Sequence, residues 1–223
     1  MARNQIAGDL DVTGTFTAGG IVLPDNAVRS DSTIQAGANI AVSKLARRVL
    51  ASIPLRVEDW RVHDDPRAVL PNAAGGADDL YLDDGTWGTN AWLVKSNDSG
   101  QTSITQRAAR SLALPFEYED GATVTIRIPC AMQVIADTSA TIDLECFASD
   151  GDGTLSADLC ATSAQSFNSA TWANKDFVIT PTTLTASMVL FIRITVAIVD
   201  AATVADHVTA LISDAALLCN TRG

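Results

Sequence analysis

Histidine is almost missing from this 223-residue chain, which holds only His63 and His207. A Ser-His-Asp relay needs three groups converging in space, and these two imidazoles lie more than a hundred residues apart. Aromatic residues make up only 5% of the chain. The four cysteines (Cys130, Cys146, Cys160 and Cys219) form no CxxC pair, so metal-site spacing is absent. No stretch reaches the roughly 20 apolar residues of a membrane span. The opening Met-Ala-Arg-Asn-Gln carries no apolar run resembling a signal peptide. These scarcities point to a protein made in the cytoplasm, with no membrane partner and free rather than bridged thiols. No catalytic constellation, cofactor motif or metal-ligand spacing emerges, so the expectation is a protein that is not an enzyme and carries no cofactor or metal.

Positive charge is scarce as well, and unevenly placed. The net charge is −11. Residues 1–67 hold eight basic and eight acidic residues, whereas the rest of the chain holds seven and eighteen. An acidic body repels phosphate backbones, so nucleic acid is not an expected partner.

What the chain has in quantity is alternation. From Ser187 to Asp200 the even positions Met188, Leu190, Ile192, Ile194, Val196 and Ile198 are all apolar, while the odd positions are mixed. A period of two with β-branched enrichment predicts a strand, since successive side chains leave the pleat on opposite faces. The half-covered odd face predicts a central one. Its length exceeds the usual ~5–6 residues. Thr123 to Val134 repeats the pattern through Val124, Ile126, Ile128, Cys130 and Met132; Thr141 to Ala148 repeats it through Ile142, Leu144 and Cys146. Val208, Ala210 and Ile212 do so more weakly. Cys130 and Cys146 fall on apolar strand faces, where a free thiol packs as a small hydrophobe. Strands of this kind bury one face against a second sheet and wet the other. Shorter strands are predicted around Val57, Trp60 and Val62, at Leu80–Leu82, at Ala91–Val94, over Thr102–Phe116 and at Phe177–Ile179. The fold expected from about Leu55 onward is all-β, a jelly-roll-like antiparallel β-sandwich spanning 55–223.

Residues 1–54 differ in kind. Leu10, Val12 and Phe16 alternate with small or acidic residues, Ile21 and Leu23 follow a glycine break, and Pro24-Asp25-Asn26 turns. Val42 to Ile53 places Leu45, Val49 and Ile53 at helical spacing, and Pro54 ends the run. So few apolar residues make no core of their own. The segment reads as an extended arm with a short strand and a short helix, ordered against its own domain, a symmetry mate or a different protein. Lys44, Arg47 and Arg48 on the helical stretch suit an acidic partner surface as well as a solvated face.

Other clusters have bland accounts. His63-Asp64-Asp65 reads as a polar strand end. Asp150-Gly151-Asp152-Gly153 opens like a calcium loop, but the sixth and twelfth positions hold Leu155 and Ala161 where that loop wants Gly and Glu; a hairpin turn fits better. Asp78-Asp79 and Asp83-Asp84 read as solvated loop charge before a cation site between subunits. Trp60, Trp87, Trp92 and Trp172 read as core and rim packing before a sugar platform.

The arm carries a resemblance. Gly8-Asp9-Leu10-Asp11-Val12-Thr13-Gly14-Thr15-Phe16-Thr17-Ala18, then Ile21-Val22-Leu23-Pro24-Asp25-Asn26-Ala27-Val28, then Ile40-Ala41-Val42-Ser43-Lys44-Leu45, resembles the opening of tailed-bacteriophage virion proteins. These include capsid decoration (cement) proteins, head fibres and some tail-fibre subunits. Leu114-Pro115-Phe116-Glu117-Tyr118-Glu119-Asp120-Gly121, leading into a long strand, is similar to their jelly-roll bodies. The resemblance implies a structural virion protein, a homotrimer, attached at the capsid surface through its arm. It makes the major capsid protein the partner, with Leu10, Val12, Phe16, Ile21, Leu23, Lys44, Arg47 and Arg48 as contact residues. Two other functions stay open: a tail-fibre or receptor-binding subunit touching host glycan, and a hydrolase or lyase on the same scaffold.

Overall fold

A computed structural model describes residues 48–73, 76, 78–86, 89–100, 102–149, 151–200 and 208–222. The arm positions Leu10, Val12, Phe16, Ile21, Leu23, Lys44 and Arg47 lie outside the described residues, as do Trp87 and His207. Arg48, the last of the expected arm contacts, opens the first strand.

The body is an all-β antiparallel sandwich of jelly-roll type. The strands are β1 (Arg48–Leu55), β2 (Tyr81–Asp83), β3 (Leu93–Lys95), β4 (Ile104–Ala113), β5 (Val124–Met132), β6 (Ser139–Ser149), β7 (Gln165–Ser166), β8 (Ala173–Ile179), β9 (Val189–Val199), β10 (Ala210–Ile212) and β11 (Ala215–Arg222). Seven form one sheet in the order β1-β11-β5-β10-β3-β2, with β8 on the other side of β5; the second sheet runs β4-β9-β6-β7. Among the described residues no helix is long and apolar enough to cross a membrane.

The long strand β9 is central, flanked by β4 and β6 along its whole length. Leu190, Ile192, Ile194, Val196 and Ile198 are buried, and Phe191 and Val199 on the odd face are exposed. The even faces of β5 and β6 meet the same core, with Cys130 and Cys146 buried in it. Burial pushes the Cys146 thiol up to about 12 and the Cys130 thiol up to about 11.

Four expectations are corrected. Of the run Val42–Ile53 expected as a helix, residues 42–47 lie outside the described residues, and from Arg48 it is strand β1, paired with β11 from Arg48↔Arg222 to Leu55↔Ala215. Leu45, Val49 and Ile53 fit a helical stripe, but the free edge of β11 offers eight residues of backbone pairing, and local spacing yields to that. Residues 48–54, expected as part of the arm, thus pair with the body as a strand. The strand expected around Val57, Trp60 and Val62 is instead a short 3-10 turn, Val57–Asp59, followed by an isolated bridge at Arg61. Finally, the alternating stretch Val208–Ile212 is followed by a strand that was not expected. β11 follows it after a one-residue slip against β5: Ile212 faces Cys130 and Ala216 faces Arg127. This extra residue is a β-bulge, and it hides the continuity of the strand from any reading by alternation. At the Asp150 turn, the expected hairpin is present in its described part. Gly151 and Gly153 have φ of 97° and 88°, a region open to glycine, and Asp152 accepts the Thr154 amide at 2.8 Å.

Candidate functional site

The exposed edge of β4 is covered by two short segments. Arg61 exchanges backbone hydrogen bonds with Ala109, at 2.8 and 3.0 Å. The 78–80 segment does the same one step along: Arg107 donates to the Asp78 carbonyl at 2.8 Å and Leu80 donates to the Arg107 carbonyl at 2.9 Å. Capping the edge in this way prevents sheet-to-sheet association. It also raises a wall beside the outer face of the four-stranded sheet.

On that face the register makes rows. Ser111, Phe191 and Phe147 stand side by side across β4, β9 and β6; Ala109, Arg193 and Glu145 form the next row. Arg193 gives both Nε and Nη2 to Glu145 Oε2 at 2.5 Å, and this carboxylate holds the Arg193 guanidinium above its usual range. Between the rows and the wall lies a cleft of about 550 Å3, lined by Asp59, Arg61, His63, Arg110, Phe147, Phe191 and Arg193 among others.

Arg110 is the unusual member. Its side chain is 9% exposed, and its guanidinium lies 5.7 Å from the centre of the buried Trp60 ring. Nη2 meets Asp59 Oδ2 at 3.5 Å, long for a charged pair. Nε and Nη1 are buried without a hydrogen-bond partner, and so is Trp60 Nε1. Burial lowers the Arg110 pKa; Asp59 acts against this, and the nearby Arg61 charge adds to it.

His63 is tied to the wall. Its Nδ1 lies 2.9 Å from Asp79 Oδ1 and its Nε2 3.5 Å from Asp78 Oδ2. One ligand atom each from His63, Asp64 and Asp79 lie within 4.8 Å of one another, so the trio has the donor set for a divalent cation. The polar strand end expected here is thus a two-segment cluster, completed by Asp79 from a loop that sequence spacing does not link to it. Asp83 is not free loop charge: it is ion-paired with Lys95, which holds its carboxyl below the usual range.

A second, more open cleft of about 670 Å3 lies on the larger sheet and is lined by Trp172, Thr89, Asn90, Lys95 and Ser213 among others. Trp60 is core, as expected, but Trp172 is 46% exposed and Trp92 41%. The cleft on the smaller sheet was missed in the sequence. The one available signal was Phe147 and Phe191 on the faces of their strands turned away from the core.

No family model matches the chain, and no curated protein matches it. Among solved structures, the two-sheet form is similar to the xylan-binding module CBM15 (12% identity, TM-score 0.40, covering 78% of this chain and 100% of that one). It is also similar to the CBM22-1 xylan-binding domain from Paenibacillus barcinonensis (12%, 0.37, 80% and 98%) and to a family 16 carbohydrate-binding module (13%, 0.37, 66% and 89%). At these scores the likeness is loose, and no residue role is carried across.

Proposed function

We propose that the sandwich is a glycan-binding body whose binding face is the cleft beside Phe147 and Phe191. The observation that supports it is the opposed phenylalanine pair on two rigid central strands, set beside arginine donors. The apolar face of a pyranose stacks on such rings, while its hydroxyls take hydrogen bonds from directional polar groups at the rim. Arg61 and Ser111 provide those groups. Asp59, the carboxylate in the cleft lining, and Glu145 beside it each face an arginine, an arrangement suited to holding a ligand rather than to paired acid–base work on a glycosidic bond.

Joined to an arm resembling those of phage virion proteins, this body reads as a receptor-binding subunit of a phage particle that contacts host glycan. One observation favours capsid decoration as a second reading: β1 pairs only with β11 among the described strands, so its other edge is available for strand addition next to the point where the arm enters. Affinity electrophoresis in gels containing host surface polysaccharide, with wild type and Phe191→Ala, tests the first reading. Retardation of the wild type that Phe191→Ala abolishes is expected. No retardation, together with saturable binding to phage heads stripped of this protein, overturns it in favour of decoration.

A further inference from the structure

We infer that the cleft on the larger sheet is a second sugar site, independent of the Phe191 cleft, in which a neutral pyranose stacks on Trp172 and takes hydrogen bonds from Thr89, Asn90 and Ser213.

The floor of this cleft follows from register. Leu93 and Lys95 flank the buried Val94, so they leave β3 on its outer side. Asp83 pairs with Leu93, and Pro129, between buried Ile128 and Cys130, pairs with Asn174. Ser213 donates its amide to the Pro129 carbonyl at 3.1 Å, which carries the same outer row past β10. Trp172 closes one end. It directly precedes Ala173, which pairs with Cys130 at the start of β8. The loop before it is pinned: Met132 donates to the Ser169 carbonyl at 2.8 Å, and Asn168 exchanges two bonds of 2.8 Å with the backbone of Ala136. The indole is therefore held on a fixed support while 46% exposed. Tryptophan is highly buried on average, and its amphipathic ring is favoured where a ligand covers it.

The turn at Thr89 and Asn90 forms the other end. Both amides donate to the Thr86 carbonyl, at 2.9 and 3.1 Å. Gly85 has φ of 56°, and a Cβ added there would lie 2.9 Å from Asn90 Cβ, so glycine is what lets the turn close with Asn90 at the cleft. Three strand spacings, about 14 Å, separate β8 from β3, which leaves room for the stacked ring and its neighbour.

Charge decides the class of ligand. The charged residues of the lining are Asp83 and Lys95, and they are paired with each other. The cleft thus presents no spare charge to a carboxylate or an ammonium group. Asn90 both donates and accepts, as do the Thr89 and Ser213 hydroxyls, and these groups complement the hydroxyls of a sugar whose apolar face lies on the indole. The two clefts lie on the outer faces of opposite sheets, which point away from each other. One body then holds two glycan chains, and on a dense polysaccharide coat the second contact adds avidity.

Isothermal calorimetry on the full chain with neutral gluco-, manno-, galacto- and xylo-oligosaccharides tests this. For at least one of them Trp172→Ala, a change at an exposed position, should weaken one class of site at least about tenfold, a gap of ~1.4 kcal/mol, while Phe191→Ala leaves that class intact. Asn90→Ala, at the far end of the cleft, should weaken the same class several-fold without touching the indole. Raising the salt should leave this affinity unchanged. Wild-type binding in both Trp172→Ala and Asn90→Ala overturns the inference and leaves the Phe191 reading standing. Loss in Trp172→Ala with no effect of Phe191→Ala on any sugar supports the inference and overturns the Phe191 cleft instead. No binding of any member by the wild type overturns this inference.

Discussion

The Asp214 carboxylate accepts the backbone amide of Val57 at 2.9 Å, across 157 residues of sequence. Asp214 sits in the bulge between β10 and β11, and Val57 begins the turn that leads to Asp59, Arg61 and His63. The bulge thus does two jobs. It bends the strand, and it aims a side chain at the loop that walls the cleft. Asp214→Ala should therefore cost about 1 kcal/mol of stability, the usual worth of such a bond. It should weaken ligand binding by more than that loss of stability accounts for, because the wall loosens. Urea denaturation and calorimetry on the same preparation separate the two effects; unchanged binding would show that the loop is held by the Arg61–Ala109 bridge alone.

Ile194 is fully buried and sits between Ala108 and Leu144 in the smaller sheet. Ile194→Asp places an unpaired carboxylate in that core, where burying a charge exceeds the ~5–15 kcal/mol by which a domain of this size is stable. The variant should be unfolded or insoluble, whereas Ile194→Val should lose only about 0.5–1.5 kcal/mol. Circular dichroism melts of the two decide the point, and a soluble aspartate variant with an unchanged melt would refute the inward orientation of this face.

How much of this was legible beforehand depends on the range of the forces involved. β9, β5 and β6 were readable because their alternation is a local consequence of the pleat, and burial of Ile194, Ile126 and Leu144 follows from it directly. β1 was misread because Leu45, Val49 and Ile53 satisfy a helical stripe. Only the distant edge of β11 decides against a helix. β11 itself was hidden by the bulge at Ser213–Asp214, which resets the alternation by one residue. The cleft was the least legible feature. Phe147 and Phe191 meet through strand register, Asp79 reaches His63 through edge capping of β4, and Arg110 meets Trp60 through packing; none of these pairings leaves a spacing in the sequence. The arm motif, conversely, was the clearest resemblance in the chain and lies outside the described residues.

Arg127 and Asp176 face each other in the β5–β8 register and form a two-bond ion pair. This bond holds the Asp176 carboxyl below its usual range and the Arg127 guanidinium above it. A depressed carboxyl pKa contributes stability that is fully present above the unfolded value of about 3.9 and is lost as pH falls through the lower folded value. The difference in stability between wild type and Asp176→Asn should be constant from neutral pH down to about pH 5, then close as pH drops below about 4. Both side chains are more than 40% exposed, so the difference at neutral pH should stay under about 1 kcal/mol. Urea midpoints at stepped pH measure it. A gap that widens on acidification would mean that Asp176 does not carry this contribution.

The position of β1 sets where the chain can be cut. Eight residues, Arg48 to Leu55, pair along β11, and β11 in turn supports β5. Leu55 is fully buried, Ala51 and Ile53 pack against the core, and Val49 and Leu50 are exposed. Removal of residues 1–47 takes away none of these contacts, so the truncated protein should melt cooperatively at the temperature of the full chain. Removal of residues 1–54 deletes all but the last residue of the strand, uncovers one side of Leu217 and Cys219, and leaves the backbone groups of β11 unpaired along that edge. Exposed strand edges of this kind recruit other chains, so this shorter form should melt several degrees lower and aggregate on heating. Scanning calorimetry with light scattering on the pair tests the boundary. Equal melting of both truncations would place the edge of the folded body after β1, and a failure of the 1–47 deletion to fold would place it within the arm.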